Sequence, residues 1–267
     1  MQFVDTYYFA NIVHDVVSHP LPYLRDFDGF WGDAAVVRLL PPFPRFTRLH
    51  EFASYVIHEV ILEELDDVTV DSLVQHPGEC LWLEQALNRN QISHQSLVKW
   101  LAESGIPLAQ LEEAHLREYV AELSNEGAYD ELLQKLASEV FFLMFLNRGF
   151  LREFNQLMAA QVADVEVEWL SPEHRGHLRA DGVLRRVAIP KWVRRAVFFR
   201  DRGLCVLCHS DLSGTVSVMP EENFDHMVAL ANGGVNDVTN IQLLCGSCNR
   251  AKGARKGRTS DEYEQWY

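Results

Sequence analysis

The sequence lacks any long apolar segment. Its longest apolar run, residues 140–146, is seven residues long, whereas a helix that spans a membrane needs about 20. The N-terminal residues show no basic stretch ahead of an apolar one, so no signal peptide is visible. Internal repeats and low-complexity tracts are also missing. We therefore expect a globular protein of the reducing cytoplasm, with no membrane partner.

Positive charge is scarce in the first two thirds of the chain. Residues 1–170 hold 10 Lys and Arg against 27 Asp and Glu, a net charge of −17, whereas residues 171–267 hold 14 and 11, a net charge of +3. The total of −14 alone argues against a nucleic-acid partner. Asymmetry of this kind, however, indicates two domains with different tasks. We expect an acidic domain over residues 1–170 and a second domain over residues 171–267.

Cysteine is sparse, and four of the five cysteines form two Cys-x-x-Cys pairs. Cys205 pairs with Cys208 and Cys245 with Cys248, with 36 residues between the pairs. In a reducing compartment this pattern favours metal binding over disulfides, and two such pairs complete a closed tetrahedron around Zn²⁺. We predict one structural zinc site, with redox dithiols or an iron–thiolate site as the alternatives. Cys80 is predicted to be a small buried hydrophobic residue.

The N-terminal domain is predicted to be mainly helical. Apolar residues recur at helical spacing, as in residues 52–60. The apolar run at residues 140–146 is predicted to be a helix that is buried on all sides. Apolar and polar residues then alternate over residues 165–169, which predicts a strand. A polar connection places the domain boundary near residues 170–185.

The second domain is predicted to contain a ββα unit. Residues 190–203 are typical of a short amphipathic helix that begins at Pro190. Residues 223–230 and 240–245 predict two strands, and the segment from about Ser247 predicts a helix. The fold class is therefore α+β: a mainly α-helical N-terminal domain followed by a small zinc-stabilised ββα domain.

The polar residues of this segment follow a recognisable order. Asp225-His226, Gly233-Gly234 and Asn240 lie between the two cysteine pairs, and Asn249 and Lys252 come at or after the second pair. Together with both Cys-x-x-Cys pairs, this order resembles the HNH endonuclease family, in its zinc-bearing, treble-clef-like ββα-metal subgroup. The resemblance covers about residues 190–256 and leaves residues 1–170 without a comparable motif.

The resemblance implies a role for each of four polar residues. His226 would be the general base that takes a proton from the water attacking a phosphodiester, a task that suits a neutral imidazole near pH 7. Asp225 and Asn249 would bind one catalytic divalent ion, Mg²⁺ or Mn²⁺. Asn240 would hold His226 in the right tautomer and orientation.

Two further expectations concern the ligands of this site. Many members of the family have His at the position of Asn249, and an amide oxygen is a hard ligand that suits Mg²⁺ better than Zn²⁺. Four basic residues are candidates for contact with nucleic acid: Arg194, Arg195, Arg250 and Lys252.

The resulting functional hypothesis is metal-dependent hydrolysis of DNA phosphodiesters, which by resemblance leaves 5′-phosphate ends. A monomer would nick one strand and a homodimer would cut both. The alternative is a catalytically silent zinc-binding module that binds nucleic acid or a protein. The acidic domain would be regulatory or bind a protein partner or substrate, an arrangement that resembles bacterial antiviral defence and restriction effectors. The simpler alternative is that its acidic surface serves only solubility.

Overall fold

The computed structural model describes residues 3–23, 30–31, 35–67, 81–214, 222–254 and 257–263. Cys80 lies outside the described residues. Within these ranges, each helix is too short or too polar to span a membrane. The predicted fold class is confirmed, since helices predominate and the strands form two small antiparallel pairs.

The helices are numbered here in chain order. They are α1 (Phe3–Ser18), α2 (Ala35–Leu39), α3 (Arg48–Asp67), α4 (Trp82–Arg89), α5 (Leu97–Ser104), α6 (Glu113–Asn125), α7 (Ala128–Phe145), α8 (Arg148–Ala163), α9 (Pro172–Arg175), α10 (Lys191–Arg200) and α11 (Gly246–Lys252). The strands are β1 (Leu178–Ala180), β2 (Val183–Leu184), β3 (Glu222–His226) and β4 (Ile241–Cys245).

The chain divides into two compact units. Unit 1 consists of Met1–Ala10 and His50–Phe141, and unit 2 of Asn11–Leu49 and Phe142–Tyr267. Unit 2 therefore combines residues 171–267 with two segments that the sequence assigned to the N-terminal domain. The predicted domain boundary near residues 170–185 differs from the division into these units, and it stays a prediction.

Unit 1 is built from helices that bury one apolar face each. In α6, for example, Leu116, Tyr119 and Leu123 are buried and keep helical spacing. The buried carboxylate of Glu84 accepts hydrogen bonds from the Leu97 amide at the start of α5, 2.8 Å, and from the Tyr119 hydroxyl, 3.3 Å. These bonds satisfy a polar group that would otherwise destabilise the core.

Two local predictions were wrong. The apolar run at 140–146 is not buried on all sides, because Phe142 and Leu146 are 69% and 58% exposed. These residues are four apart and so lie on one face, which is turned to solvent. The strand predicted at 165–169 is instead a 3-10 helix at Val167–Trp169. There the Val167 amide donates to the carboxylate of Asp181, 2.8 Å, a residue of the turn between β1 and β2.

The C-terminal ββα unit is confirmed. Strand β3 pairs antiparallel with β4, and Asp225 and His226 lie opposite Gln242 and Ile241. Helix α11 follows β4 directly, with Cys245 as its N-cap residue. Strands β1 and β2 form a separate short hairpin ahead of α10.

A buried ion pair joins α10 to β4. Arg200 donates two hydrogen bonds to the carboxylate of Asp201, at 2.8 and 2.9 Å, and one to the main-chain oxygen of Ile241, 2.6 Å. The same carboxylate accepts a hydrogen bond from the Leu243 amide, 2.9 Å. Both side chains are fully buried, so each charge needs these partners to remain stable inside the protein.

The loop between β3 and β4 rests on α8 and on residues 41–48. Asn155 of α8 donates to the Thr239 hydroxyl, 3.3 Å, and the Phe43 amide donates to the main-chain oxygen of Asn236, 2.7 Å. At Gly233, φ is +78°, and an added Cβ would overlap the carbonyl oxygen of Ala159 in α8. The Gly-Gly pair thus permits close packing of the loop on α8.

This packing predicts that Gly233→Ala lowers the free energy of unfolding by about 2–4 kcal/mol, because the methyl group adds a steric clash to the strain of a left-handed backbone. Gly127→Ala is the matched control, since Gly127 also has a positive φ, +84°, but no atom lies within 4 Å of an added Cβ. It should cost only about 1 kcal/mol. Urea titrations of both variants measure the difference, and equal losses would contradict the close packing at Gly233.

Candidate functional site

Four thiols meet where the first turn of α11 faces the turn that follows α10. The sulfur atoms of Cys205, Cys208, Cys245 and Cys248 all lie within 4.8 Å of one another. The Cys208 and Cys245 sulfurs, which belong to different Cys-x-x-Cys pairs, are 3.7 Å apart. A tetrahedral ion with zinc–sulfur bonds of about 2.3 Å places its ligands about 3.8 Å apart. The predicted four-cysteine cluster is thus confirmed, and its spacing suits Zn²⁺.

Local hydrogen bonds prepare two of these thiols to act as thiolates. Burial alone would raise the pKa of Cys245, but hydrogen bonds from the Ser247 hydroxyl and from Cys248 lower it to about 6. The Ser210 hydroxyl lies 3.1 Å from the Cys208 sulfur and helps to lower the pKa of that thiol as well. Thiolates are the metal-binding form of cysteine. Burial raises the pKa of the other two thiols, Cys205 and Cys248, so the hydrogen bonds favour the thiolate at two of the four positions.

A cleft of about 330 Å³ is lined by residues of β3, α11 and the β1–β2 hairpin. Its polar lining comes from Asp225 and His226 at the end of β3, Asn249 of α11, and Arg179 and Arg186 of the β1–β2 hairpin. Three of the four residues predicted for catalysis therefore line one cavity. The structure does not bring Asn240 to this lining.

His226 occupies the buried end of the cleft with one ring nitrogen fixed. Its Nε2 atom lies 3.2 Å from Asn236 Oδ1. The Asn236 amide nitrogen donates to the main-chain oxygen of Arg185, 3.0 Å, which makes Oδ1 the atom turned toward the ring. An oxygen can only accept, so Nε2 carries the proton and Nδ1 has a free lone pair. Among the described residues, Nδ1 has no hydrogen-bond partner.

Burial also keeps this imidazole neutral. The side chain is 1% exposed, and removal from water lowers the pKa of His226 to about 4, although the hydrogen bond with Asn236 acts in the opposite direction. His226 is therefore an uncharged base at pH 7, with Nδ1 as its basic atom.

Asp225 is paired with a buried lysine. Lys252 Nζ lies 2.8 Å from Asp225 Oδ2 and donates to the main-chain oxygen of His226, 2.8 Å. The Lys252 side chain is 1% exposed. Lys252, predicted to contact nucleic acid, is thus placed inside the domain, where Asp225 balances its charge.

Asn249 is oriented by a neighbour on β3. Its amide nitrogen donates to Asn223 Oδ1, 3.3 Å, which leaves its carbonyl oxygen as the atom available to a cation. Asn249 and Asp225 line the same cleft. A carboxylate and an amide oxygen are hard donors, and this pair fits Mg²⁺ or Mn²⁺ better than Zn²⁺.

Asn240 contacts the main chain of the loop and makes no hydrogen bond to the imidazole. Its amide nitrogen donates to the oxygens of Val228, 3.0 Å, and Val235, 2.9 Å, and its Oδ1 accepts from the Val228 amide, 2.9 Å. Asn240 therefore closes the loop, and the contact with the imidazole comes from Asn236. Sequence reasoning missed Asn236, Arg179 and Arg186, for which no spacing signal exists.

The remaining predicted contacts are exposed. Arg250 lies on the surface of α11, and Arg194 and Arg195 lie on α10. Arg194 and Arg195 line another pocket, of about 240 Å³, with Phe199 and Phe224. This pocket shares no lining residue with the cleft at His226.

A family model of the HNH endonucleases matches residues 204–255. The C-terminal segment is an HNH domain. No curated protein and no solved structure matches the chain. The HNH match supports a function of the nuclease class and interaction with nucleic acid. It begins after the β1–β2 hairpin, α8 and α10, so these elements of the site lie outside the matched residues.

The cysteine geometry predicts that the double variant Cys208→Ser/Cys245→Ser, which removes one ligand from each pair, loses its zinc. The wild-type chain should hold about one zinc ion, and the variant well under half of that, because thiolates supply most of the affinity. Plasma mass spectrometry of the purified full chain measures the content. Cys80→Ser is the control and should retain the metal; zinc retained by the double variant would contradict a four-cysteine site.

Proposed function

We propose that this HNH domain hydrolyses phosphodiesters of DNA and leaves 5′-phosphate ends. The observation that carries the proposal is the common cleft of His226, Asp225 and Asn249. Nδ1 of the neutral imidazole is buried there and has no hydrogen-bond partner among the described residues. A buried base next to two hard metal ligands is an arrangement suited to activating water against a phosphate.

In the proposed reaction, His226 Nδ1 accepts a proton from water while the water oxygen forms a bond to phosphorus. The bond from phosphorus to the 3′ oxygen breaks on the opposite side. Asn236 Oδ1 keeps the Nε2 proton in place and stabilises the imidazolium that forms, since it accepts the Nε2–H bond. A divalent ion at Asp225 and Asn249 would supply stabilisation of negative charge on the phosphate.

A second candidate function is a catalytically silent zinc module that binds nucleic acid or a protein. The ion pair of Asp225 with Lys252 favours it, because the ammonium already neutralises one metal ligand. The exposed arginines of α10 are available for binding in either case.

The broader role proposed for the chain is a bacterial defence or restriction effector with a regulatory acidic region. The support is the charge of −17 over residues 1–170. Such a region would repel DNA until a protein partner neutralises it.

Repulsion between the acidic region and DNA predicts that the rate of cutting first increases as salt is raised to about 100 mM, where the Debye length falls to about 10 Å. A rate that decreases steadily from the lowest salt concentration would argue that the acidic region serves solubility only.

Relaxation of supercoiled plasmid tests the proposed activity. With Mg²⁺ or Mn²⁺, the wild-type chain should nick plasmid, and His226→Ala should lower the rate by about 100-fold or more, because general-base catalysis is lost. His50→Ala is a matched control, since His50 is also buried but lies in unit 1. If wild type and His226→Ala leave plasmid equally intact across metals, and also at salt concentrations that screen the acidic region, the proposed hydrolysis is contradicted and the silent module is favoured.

The contact with Asn236 predicts a pH signature. Burial lowers the pKa of His226 to about 4. Activity should therefore persist below pH 6.5 and be lost only as the pH approaches this pKa, where the imidazole becomes protonated. Asn236→Asp places a carboxylate against Nε2–H and raises the pKa of His226. The acid limb of the kcat/KM profile should therefore shift to higher pH. Asn236→Leu removes the acceptor and should lower kcat by about 10- to 100-fold. An acid limb that is the same in wild type and Asn236→Asp would contradict the assigned contact.

A further inference from the structure

The β1–β2 hairpin forms the wall of the cleft that faces the ββα unit. Arg179 lies on β1 and Arg186 lies two residues after β2, and both side chains line the cleft together with Asp225, His226 and Asn249. Neither arginine falls within residues 204–255, which match the HNH family. Both residues are exposed.

These two guanidinium groups differ from those of the neighbouring arginines. Arg185 donates to the main-chain oxygens of Gly176, 3.1 Å, and Leu178, 3.4 Å, and Arg175 donates to that of Leu170, 2.8 Å. Within the described part of the chain, Arg179 and Arg186 form neither hydrogen bonds nor ion pairs. Their positive charges are therefore available to a ligand.

Among the described residues that line the cleft, one carboxylate could balance these charges. This carboxylate, Asp225, is already paired with Lys252 at 2.8 Å. Arg186 lies near enough to His226 to contribute to the low pKa of that imidazole, after the larger effect of burial. The open part of the cleft is thus positive, and an anion that enters it meets two unpaired guanidinium groups.

The positions of the two arginines indicate an extended polyanion. Arg179 lies at the register irregularity of β1 between Leu178 and Ala180, whereas Arg186 follows β2 by two residues. The two arginines therefore line the cleft from different strands and at different levels of the hairpin. A single small anion suits one of them, whereas a nucleic-acid strand offers successive phosphates to both.

We propose that Arg179 and Arg186 bind the phosphates on either side of the scissile phosphodiester, so that the hairpin and the ββα unit hold one strand between them. The proposal rests on the proposed function for the position of the scissile bond. Guanidinium groups bind phosphate oxygens in a bidentate manner without reading bases, so these contacts are independent of base sequence.

The same hairpin supports the general base. The main-chain oxygen of Arg185 accepts the hydrogen bond that orients the Asn236 amide, and this amide contacts His226. Residues 184–186 therefore connect strand binding with the position of Nδ1. A nucleic-acid strand bound to Arg186 therefore lies one residue from Arg185, whose main-chain oxygen orients Asn236 and so fixes the tautomer of His226.

Salt-dependent binding tests the two contacts without any turnover. The probe is a fluorescein-labelled duplex of about 20 base pairs, titrated with the full chain by anisotropy in about 25–200 mM KCl without Mg²⁺ or Mn²⁺. Each phosphate contact contributes about 0.9 to the slope of log K against log salt, so Arg179→Ala/Arg186→Ala should reduce the slope by about 1.8. Omission of chelators keeps the cysteine cluster loaded.

Two control variants distinguish the loss of phosphate contacts from a change in net charge and from misfolding. Lys99→Ala/Arg117→Ala removes two exposed charges from unit 1 and should leave the slope unchanged. Arg179→Lys/Arg186→Lys keeps both charges and should retain the wild-type slope with weaker binding, because lysine lacks the bidentate geometry.

The outcomes are distinct from those of the plasmid assay. A reduced slope in the double alanine variant supports the phosphate contacts even if the wild-type chain cuts no plasmid. An unchanged slope and affinity, or the same reduction in the unit 1 control, would overturn them even if His226 proves essential for cutting.

Discussion

The side-chain amide of Asn240 closes the loop between β3 and β4, and the geometry of the cleft depends on that closure. Its three hydrogen bonds connect the end of the loop to Val228 and Val235. All of these groups are buried, so a lost partner would leave main-chain polar groups without hydrogen bonds, at a cost of about 1–3 kcal/mol each. Closure in turn places Asn236, which lies inside the loop, against His226.

The loop is supported on several sides by residues distant in sequence. The Arg48 amide donates to the buried carboxylate of Asp237, 3.3 Å, and burial raises the pKa of that carboxyl group. Thr239 contacts Asn155 of α8, and Gly233 packs closely on the same helix. The cysteine cluster lies at the start of α11, where a bound zinc ion would stabilise one side of the cleft. Buried hydrogen bonds stabilise the other side.

Sequence reasoning succeeded where the signal was local. The two Cys-x-x-Cys pairs, the strands on either side of the Gly-Gly loop and the helix at Lys191–Arg200 all follow from spacing over a few residues. It failed where the outcome depends on tertiary contacts. Phe142 is exposed because only one face of α7 meets solvent, and nothing in an apolar run reveals which face that is.

The candidate site shows the same limit. Asp225, His226 and Asn249, whose order resembles a known motif, line one cleft. The part played by Asn236 depends on which way its amide points, and that is decided by the main-chain oxygen of Arg185 in another element. Lys252 was predicted to contact nucleic acid, but its side chain is buried. Its burial follows from the position of Asp225 across the ββα unit.

The support that α8 and residues 41–48 give to the loop between β3 and β4 has a consequence for the evolution of this domain. Residues 204–255 contain the thiols and the polar residues of the motif, but not the Phe43 amide, Ala159 or the Arg185 carbonyl against which the loop is built. A recombination event that moved only residues 204–255 into another gene would transfer the motif without the residues that support the loop. An intact cleft therefore depends on main-chain groups that lie far upstream of the motif.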